Sequence, residues 1–491
     1  MNLDSSWLSR WMAVSRDLVL RPSTQLALAS FLVSLALADK NGGYGVAPLA
    51  CVTGAALLAV LAAASHSRPA AGEDAPGWLR PALVAILASF LFYYLARSRA
   101  FPLAPGLYAV FSVATLAFAT ELPPLARALA RRGIPREQLR LWIWLGCGAC
   151  FGYLIIHGTP APEMDVWTLQ QEAASALRGG RNPYSIPYRN FFGGLWHEGM
   201  MVYTPDIADA EHLYAFFYPP YTLLVGLPSF ALTGDIRFAN LVGLLIAAWA
   251  LSRIAPSGMR DLAAALLLFH PVTRHQLLYG WTEPTVLAPA LLMVLGLRQM
   301  LASAGRRWVP AAVGMGLFAG SKQYAFLLIA PFIGILPRSR RWWSLALAAA
   351  VFLAGVLPFM LWDFRGLYRG NIQSHLGLPA RIDALSWTGA ILRLGCSLEG
   401  ARLFSMMAGG IAVLAALVWF WPRLGSLAQA AACASAVFGL ILVTGKHAFC
   451  NYYWIWNALL LTAALLRQGE EPARSACAET GSSAEPCGRT P

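Results

Sequence analysis

Asp165 opens a stretch in which Val166, Leu169, Ala173 and Leu177 recur at helical spacing. That spacing predicts a short amphipathic helix over 166–178, lying on a membrane surface. Gly179-Gly180 ends the helix and Asn182-Pro183 turns the chain. An acid at a helix start has two readings. It caps free backbone amides, or it is a carboxylate placed to take a proton from a reacting hydroxyl. Here the acid is followed by an interfacial helix and by Arg181-Asn182-Pro183-Tyr184. That combination is more specific than a cap requires, and Glu163 supplies a second carboxylate close by.

Three further groups carry chemistry-bearing side chains. Lys322-Gln323-Tyr324 stands at a break between two short apolar segments. Lys322 is either a lysine snorkelling from a helix end or a point charge for a phosphate; Arg181, Arg274 and Arg381 compete for that second role. His270, Arg274 and His275 lie shortly before Glu283. Metal binding by His270, His275 and Glu283 is conceivable, but the spacing matches no standard zinc pattern. The expectation is a polar cavity lining, with no metal and no cofactor. Lys446-His447 precedes an aromatic run from Phe449 to Trp456. The aromatics fit an interfacial belt, and a contact from Lys446 or His447 to a phosphate is the alternative.

The elements that must position these groups are membrane helices. The chain has 491 residues, of which 58% are hydrophobic and 12% charged, and its mean hydropathy is +0.55. Soluble domains are about a quarter charged, and single soluble cores stop growing at about 250–300 residues. Apolar segments of bilayer-spanning length recur near 23–39, 46–65, 79–96, 104–121, 141–157, 239–253, 261–278, 284–300, 309–321, 324–337, 343–361, 401–421, 427–445 and 451–467. They are too long and too uniformly apolar for barrel strands. The fold class is all-α: a polytopic transmembrane bundle of about 13–15 segments, with an outer loop bearing a short interfacial helix. Cys147 and Cys150 form a CxxC inside an apolar segment, read as helix packing in preference to redox or metal chemistry.

The net charge of +13 sits in short loops, at Arg127 to Arg140, Arg306-Arg307 and Arg338 to Arg341. The positive-inside rule puts these loops and the N-terminus in the cytoplasm, and the charge does not imply a nucleic-acid partner. Residues 158–216, 362–400 and 445–447 then lie outside, as does the turn at Gly320 to Gln323. A full crossing by 217–233 would break this parity, so the segment reads as re-entrant or broken. The expected divisions are N-terminal helices over 1–140, a catalytic core over 141–365, C-terminal helices over 366–467 and a disordered cytoplasmic tail over 468–491.

The stretch from about 160 to 365 resembles the GT-C superfamily of membrane glycosyltransferases. It is most similar to the polyprenol-phosphate-mannose-dependent α-mannosyltransferases and their bacterial relatives. The resemblance rests on Asp165, on Ala176 through Tyr184, on Phe217-Tyr218-Pro219-Pro220, on His270-Pro271 followed by Gly280-Trp281-Thr282-Glu283, and on Gly316 through Tyr324. It implies that Asp165 is the catalytic base. About four apolar segments precede the usual first helix, and Gly280-Trp281-Thr282-Glu283 replaces a Gly-Gln-x-Asn common in relatives. The resemblance also implies a polyprenyl-phosphate sugar donor, a lipid or glycan acceptor and an extracytoplasmic active site in the cell membrane. Such chemistry suits the residues present. A sugar on a lipid phosphate carries its own leaving group, so one base suffices, with cations to stabilise the phosphate. Glycoside hydrolysis instead needs two carboxylates, and no Rossmann glycine pattern or P-loop points to a nucleotide sugar. The competing reading is a multi-pass transporter or lipid flippase, although the sequence shows no internal repeat.

Overall fold

The computed structural model describes residues 21–38, 44–65, 83–91, 123–133, 135–190 and 211–479. The expected segment at 104–121, the loop residues 191–210 and residues 480–491 lie outside these. Helices dominate: α1 (Pro22–Ala38), α2 (Val46–Ala64), α3 (83–91), α4 (Pro123–Arg131), α5 (Arg136–His157), α6 (Asp165–Arg178), α7 (Pro220–Thr233), α8 (Arg237–Ile254) and α9 (Arg260–Leu268). They continue with α10 (Thr273–Leu278), α11 (Glu283–Ala302), α12 (Val309–Ala319), α13 (Ala325–Gly334), α14 (Arg338–Tyr368), α15 (Trp387–Arg393), α16 (Leu398–Phe420), α17 (Leu427–Thr444) and α18 (Cys450–Glu479). Among the described residues the only strands are β1 (Tyr188–Arg189) and β2 (His212–Leu213), paired antiparallel. Seven helices among the described residues are long and apolar enough to cross a membrane: α2, α5, α8, α11, α14, α16 and α17. The architecture is an all-α polytopic membrane bundle.

Hydrogen bonds show which helix ends lie together. Arg237, opening α8, donates to the carbonyls of Ile156 at the end of α5 and Leu278 at the end of α10, both at 3.2 Å. Lys322, past the end of α12, reaches Glu283 at the start of α11. Gln323 donates to the carbonyl of Phe217, and Lys446 to the carbonyls of Leu376 and Leu378. The opposite end gathers the arginine loops. There Arg140 pairs with Asp261 at 2.5 Å, Arg298 donates to the carbonyls of Arg253 and Ile254, and Arg341 donates to the carbonyl of Leu336. Exposed tryptophans mark both levels on the outer helices, with Trp342, Trp343, Trp419 and Trp421 at the arginine end and Trp362 and Trp387 at the other.

Helix α7 does not cross the bundle. Its first turn is tied to the α12–α13 apex, where Tyr221 donates its amide to the carbonyl of Gly320. Its last residues meet α6, where Gln171 donates to the carbonyl of Gly234 at 2.6 Å. The segment expected to be broken over 217–233 is this 14-residue helix, which runs from the middle of α14, where Tyr221 meets Val351 and Gly355, to α6.

Two elements differ from the sequence expectation. The apolar segment 261–278 is two short helices, interrupted at His270-Pro271. Pro271 has no amide to donate and clashes with a continuing turn. The freed groups are recovered locally, as Val272 N donates to His270 Nδ1 and Thr273 Oγ1 to the carbonyl of Leu267. Helix α18 runs on to Glu479, past the expected start of the tail at 468. Close helix packing rests on small residues. A Cβ on Gly243 of α8 would come within 2.9 Å of the carbonyl oxygen of Pro284, and one on Gly296 of α11 within 2.5 Å of the amide of Ala311 in α12.

Candidate active site

Asp165 is the first residue of α6, after an extended Met164 at the cap position. Its Oδ1 accepts the amide of Val166 at 2.8 Å. It is therefore a first-turn acid and not the cap itself. Burial raises the Asp165 carboxyl above the ordinary carboxylate range, and its amide bond and the charge of Arg381 offset this in part. Glu163 is exposed on the approach.

Lys322 and Glu283 form a buried pair at 3.1 Å, with side chains 7% and 1% exposed. The ammonium also donates to Thr282 Oγ1 at 2.9 Å and lies over the rings of Tyr218 at 5.0 Å and Tyr452 at 5.6 Å. An ammonium has three N–H donors, so one is left for a ligand. Snorkelling does not describe this lysine, because its head is enclosed. The second carboxylate oxygen of Glu283 and the hydroxyl of Tyr324 are buried without partners. Tyr452 links this pair to the base candidate, since it lies within electrostatic reach of both Glu283 and Asp165. The site is recessed. Pro284 packs on Gly243, six residues into α8, which is roughly 9 Å below Arg237 by helical rise.

Arg381 grips Asp383 with two bonds, at 2.9 and 2.6 Å, and stacks on Phe449 at 4.5 Å. Its amide donates to the carbonyl of Lys446, and the amide of Leu385 to that of Ala448. Lys446 donates to the carbonyl of Leu378 at 2.6 Å, and His447 Nε2 lies 2.8 Å from that of Pro379. Burial pushes Lys446 down to about 8 and His447 down to about 3. These two side chains staple the loop after α14 to the α17–α18 loop.

Other sequence candidates hold the fold. Asn182 Oδ1 accepts the amide of Tyr184 at 3.0 Å, and the Tyr184 hydroxyl donates to the carbonyl of Tyr218 at 2.7 Å. Gln323 contacts Phe217 and Asn371, Arg181 is exposed and Arg274 half-buried. His270 is buried and lines a separate, mostly apolar cavity of about 260 Å³ with Phe90, Trp454 and Asn457. The conceivable metal set of His270, His275 and Glu283 does not converge; among the described residues no three His, Cys, Asp or Glu side chains gather to hold a metal. Cys147 is buried and Cys150 exposed, and neither is in a disulfide. The sequence reading missed Thr282, Tyr218 and Tyr452 as the cage around Lys322, and Arg237 entirely. An arginine opening an apolar 18-residue helix was the available signal.

A groove of about 440 Å³ runs between α7, α8, α11 and α12. Val225, Val242 and Ile246 line it and are exposed on the outer face of the bundle. Thr285 and Ser321 close its far end, next to Glu283 and Lys322.

Residues 216–445 match the family model of glycosyltransferase family 87. The matched region is just under half of the chain, and the match supports a membrane glycosyltransferase, with a sugar donor and an acceptor as substrates. No curated protein and no solved structure matches the chain. The family-87 region holds the Lys322–Glu283 pair, the groove and Arg381. Asp165 precedes it, and Lys446 and His447 follow directly after its end.

Proposed function

We propose that the protein transfers a hexose, mannose by resemblance, from a polyprenyl-phosphate donor to a lipid or glycan acceptor on the extracytoplasmic face. Asp165 removes the proton from the acceptor hydroxyl, and the hydroxyl oxygen attacks the anomeric carbon from the face opposite the phosphate. The bond to the phosphate oxygen breaks, the phosphate keeps the electron pair, and the anomeric configuration inverts. Lys322 binds the phosphate through its remaining N–H, and Arg381 adds positive potential near the base. Burial suits both roles: it makes Asp165 a stronger base and lets the ammonium act in a medium of low dielectric.

The observation that carries the donor assignment is the groove ending at Ser321, beside the enclosed Lys322. A water-soluble nucleotide sugar would have no use for an apolar channel opening among lipid-facing side chains. The test is incubation of purified protein in lipid nanodiscs with radiolabelled polyprenyl-phosphate hexoses and a membrane lipid extract. An enzyme converts the donor into labelled product and free polyprenyl phosphate. Recovery of the donor unchanged across all hexoses, with movement between leaflets in vesicles, would establish a flippase instead.

A further inference from the structure

We propose that Arg237 is a positioning residue for the reaction: it locks the start of α6, and with it Asp165, to the ends of α5 and α10. The inference rests on the reading of Asp165 as the base. The Arg237 side chain is fully buried and pairs with Asp235 at 2.9 and 2.5 Å. A cation so placed is costly unless its donors are used. Those remaining are spread across elements, to the carbonyls of Ile156 and Leu278 in the last turns of α5 and α10.

Three contacts join this corner to α6. The indole of Trp167 donates to Asp235 Oδ1 at 3.4 Å. The Arg237 guanidinium lies 5.8 Å from the centre of the Trp167 ring. One turn on, Gln171 donates to the carbonyl of Gly234 at 2.6 Å and accepts the amide of Ile236 at 2.9 Å. Trp167 and Gln171 thus fix one face of α6 against the 234–237 corner. Gly280 forms the remaining wall. Its φ of +67° favours glycine, and an added Cβ would come within 3.0 Å of Trp167 and 3.3 Å of Arg237. Asp165 precedes Trp167 by two residues on the same helix, so a shift of the backbone at Trp167 is passed to the start of α6 and to Asp165.

The opposite end of the bundle supplies a built-in comparison. Arg298 also donates to helix-terminal carbonyls, those of Arg253 and Ile254 at 2.9 and 2.8 Å, and is remote from Asp165. A clamp that only stabilises should behave the same at either end. Positioning matters because a misplacement of about 1 Å can lower turnover by about 10²-fold.

The experiment compares R237K, W167F and G280A with the R298M control. Each is purified as the full chain and measured for kcat and donor KM with labelled polyprenyl-phosphate hexose, thermal midpoint, and amide exchange of 165–171. The expected result is a fall in kcat of about tenfold or more with donor KM within about twofold, and faster exchange at 165–171. R298M should lower the thermal midpoint and keep kcat. The inference is overturned if the folded site-end variants keep both kcat and slow exchange, or lose no more kcat than R298M at an equal loss of thermal midpoint. If the unchanged protein transfers no sugar, the reading of Asp165 as base fails, and the exchange of 165–171 alone decides the clamp.

Discussion

Asp165 is half-buried and Lys322 buried, for opposite purposes, and their variants should fail in different ways. Asp165→Asn removes a group that acts in the transition state, so kcat should fall by about 10² or more while donor binding holds. Turnover near the unchanged value would end the candidacy of Asp165 and favour Glu163. The base works deprotonated, and burial raises its carboxyl. Activity should therefore fall as pH drops through a value above the ordinary 3.9 or so of aspartate, and a pH profile of kcat/KM should lose that acid limb in Asp165→Asn. Lys322→Met should weaken donor binding and also strand Glu283, whose side chain is 1% exposed, at a stability cost of about 3–5 kcal/mol. The double variant Lys322→Met, Glu283→Gln should regain most of the thermal stability but not the donor binding; recovery of both would reduce the pair to a structural contact. Asp165 and Lys322 could be singled out in the sequence, Asp165 because an amphipathic helix and an Asn-Pro turn follow it and Lys322 because it interrupts two apolar segments. The pairing of Lys322 with Glu283 was not, because 39 residues and two helices separate them.

At the scale of elements, the groove between α7, α8, α11 and α12 makes a prediction about chain length. Val242→Trp would plug it between its open side and Ser321. The donor KM should rise several-fold for long polyprenyl chains and stay nearly unchanged for a short-chain analogue that does not fill the groove. Equal KM values across chain lengths would remove the groove from the donor site. Helices α5, α8, α11, α14, α16 and α17 follow directly from their apolar length, and α7 from its parity. The break at His270-Pro271 was signalled by its proline but hidden by continuous hydropathy. The kink in α14, where Asp363 takes φ −155° and ψ 91°, had no local signal. It depends on the Asp363 carboxylate accepting bonds from Gly366 in its own chain segment and from the distant Ser185.

For the whole molecule, the two-ended arrangement of charge makes the topology testable without adding a residue. Cys396 is exposed in the loop between α15 and α16, at the end that holds Asp165 and Lys322. A membrane-impermeant maleimide applied to intact cells should label it, and Cys396→Ser should lose most of that signal. Labelling only after permeabilisation would invert the assignment of sides. The arginine loops gave this polarity at the sequence level because lipid forces charge to the ends of apolar helices. How the ends interlock was not legible, since it rests on backbone carbonyls, as in the bonds from Arg237, Gln171 and Lys446.

The α12–α13 hairpin has a mechanical consequence for the membrane around it. Its arms have 11 and 10 residues, or about 16 and 15 Å of helix, against a hydrocarbon layer of about 30 Å. Lipids beside this face must compress, or their headgroups must follow the donor downward to reach Lys322. Either adjustment costs fractions of a kcal/mol per Å of mismatch, so bilayer thickness becomes a variable of donor capture. In vesicles of increasing acyl length, the donor KM should climb steadily while kcat stays level, and a KM indifferent to thickness would show that the surrounding lipids bear no such strain.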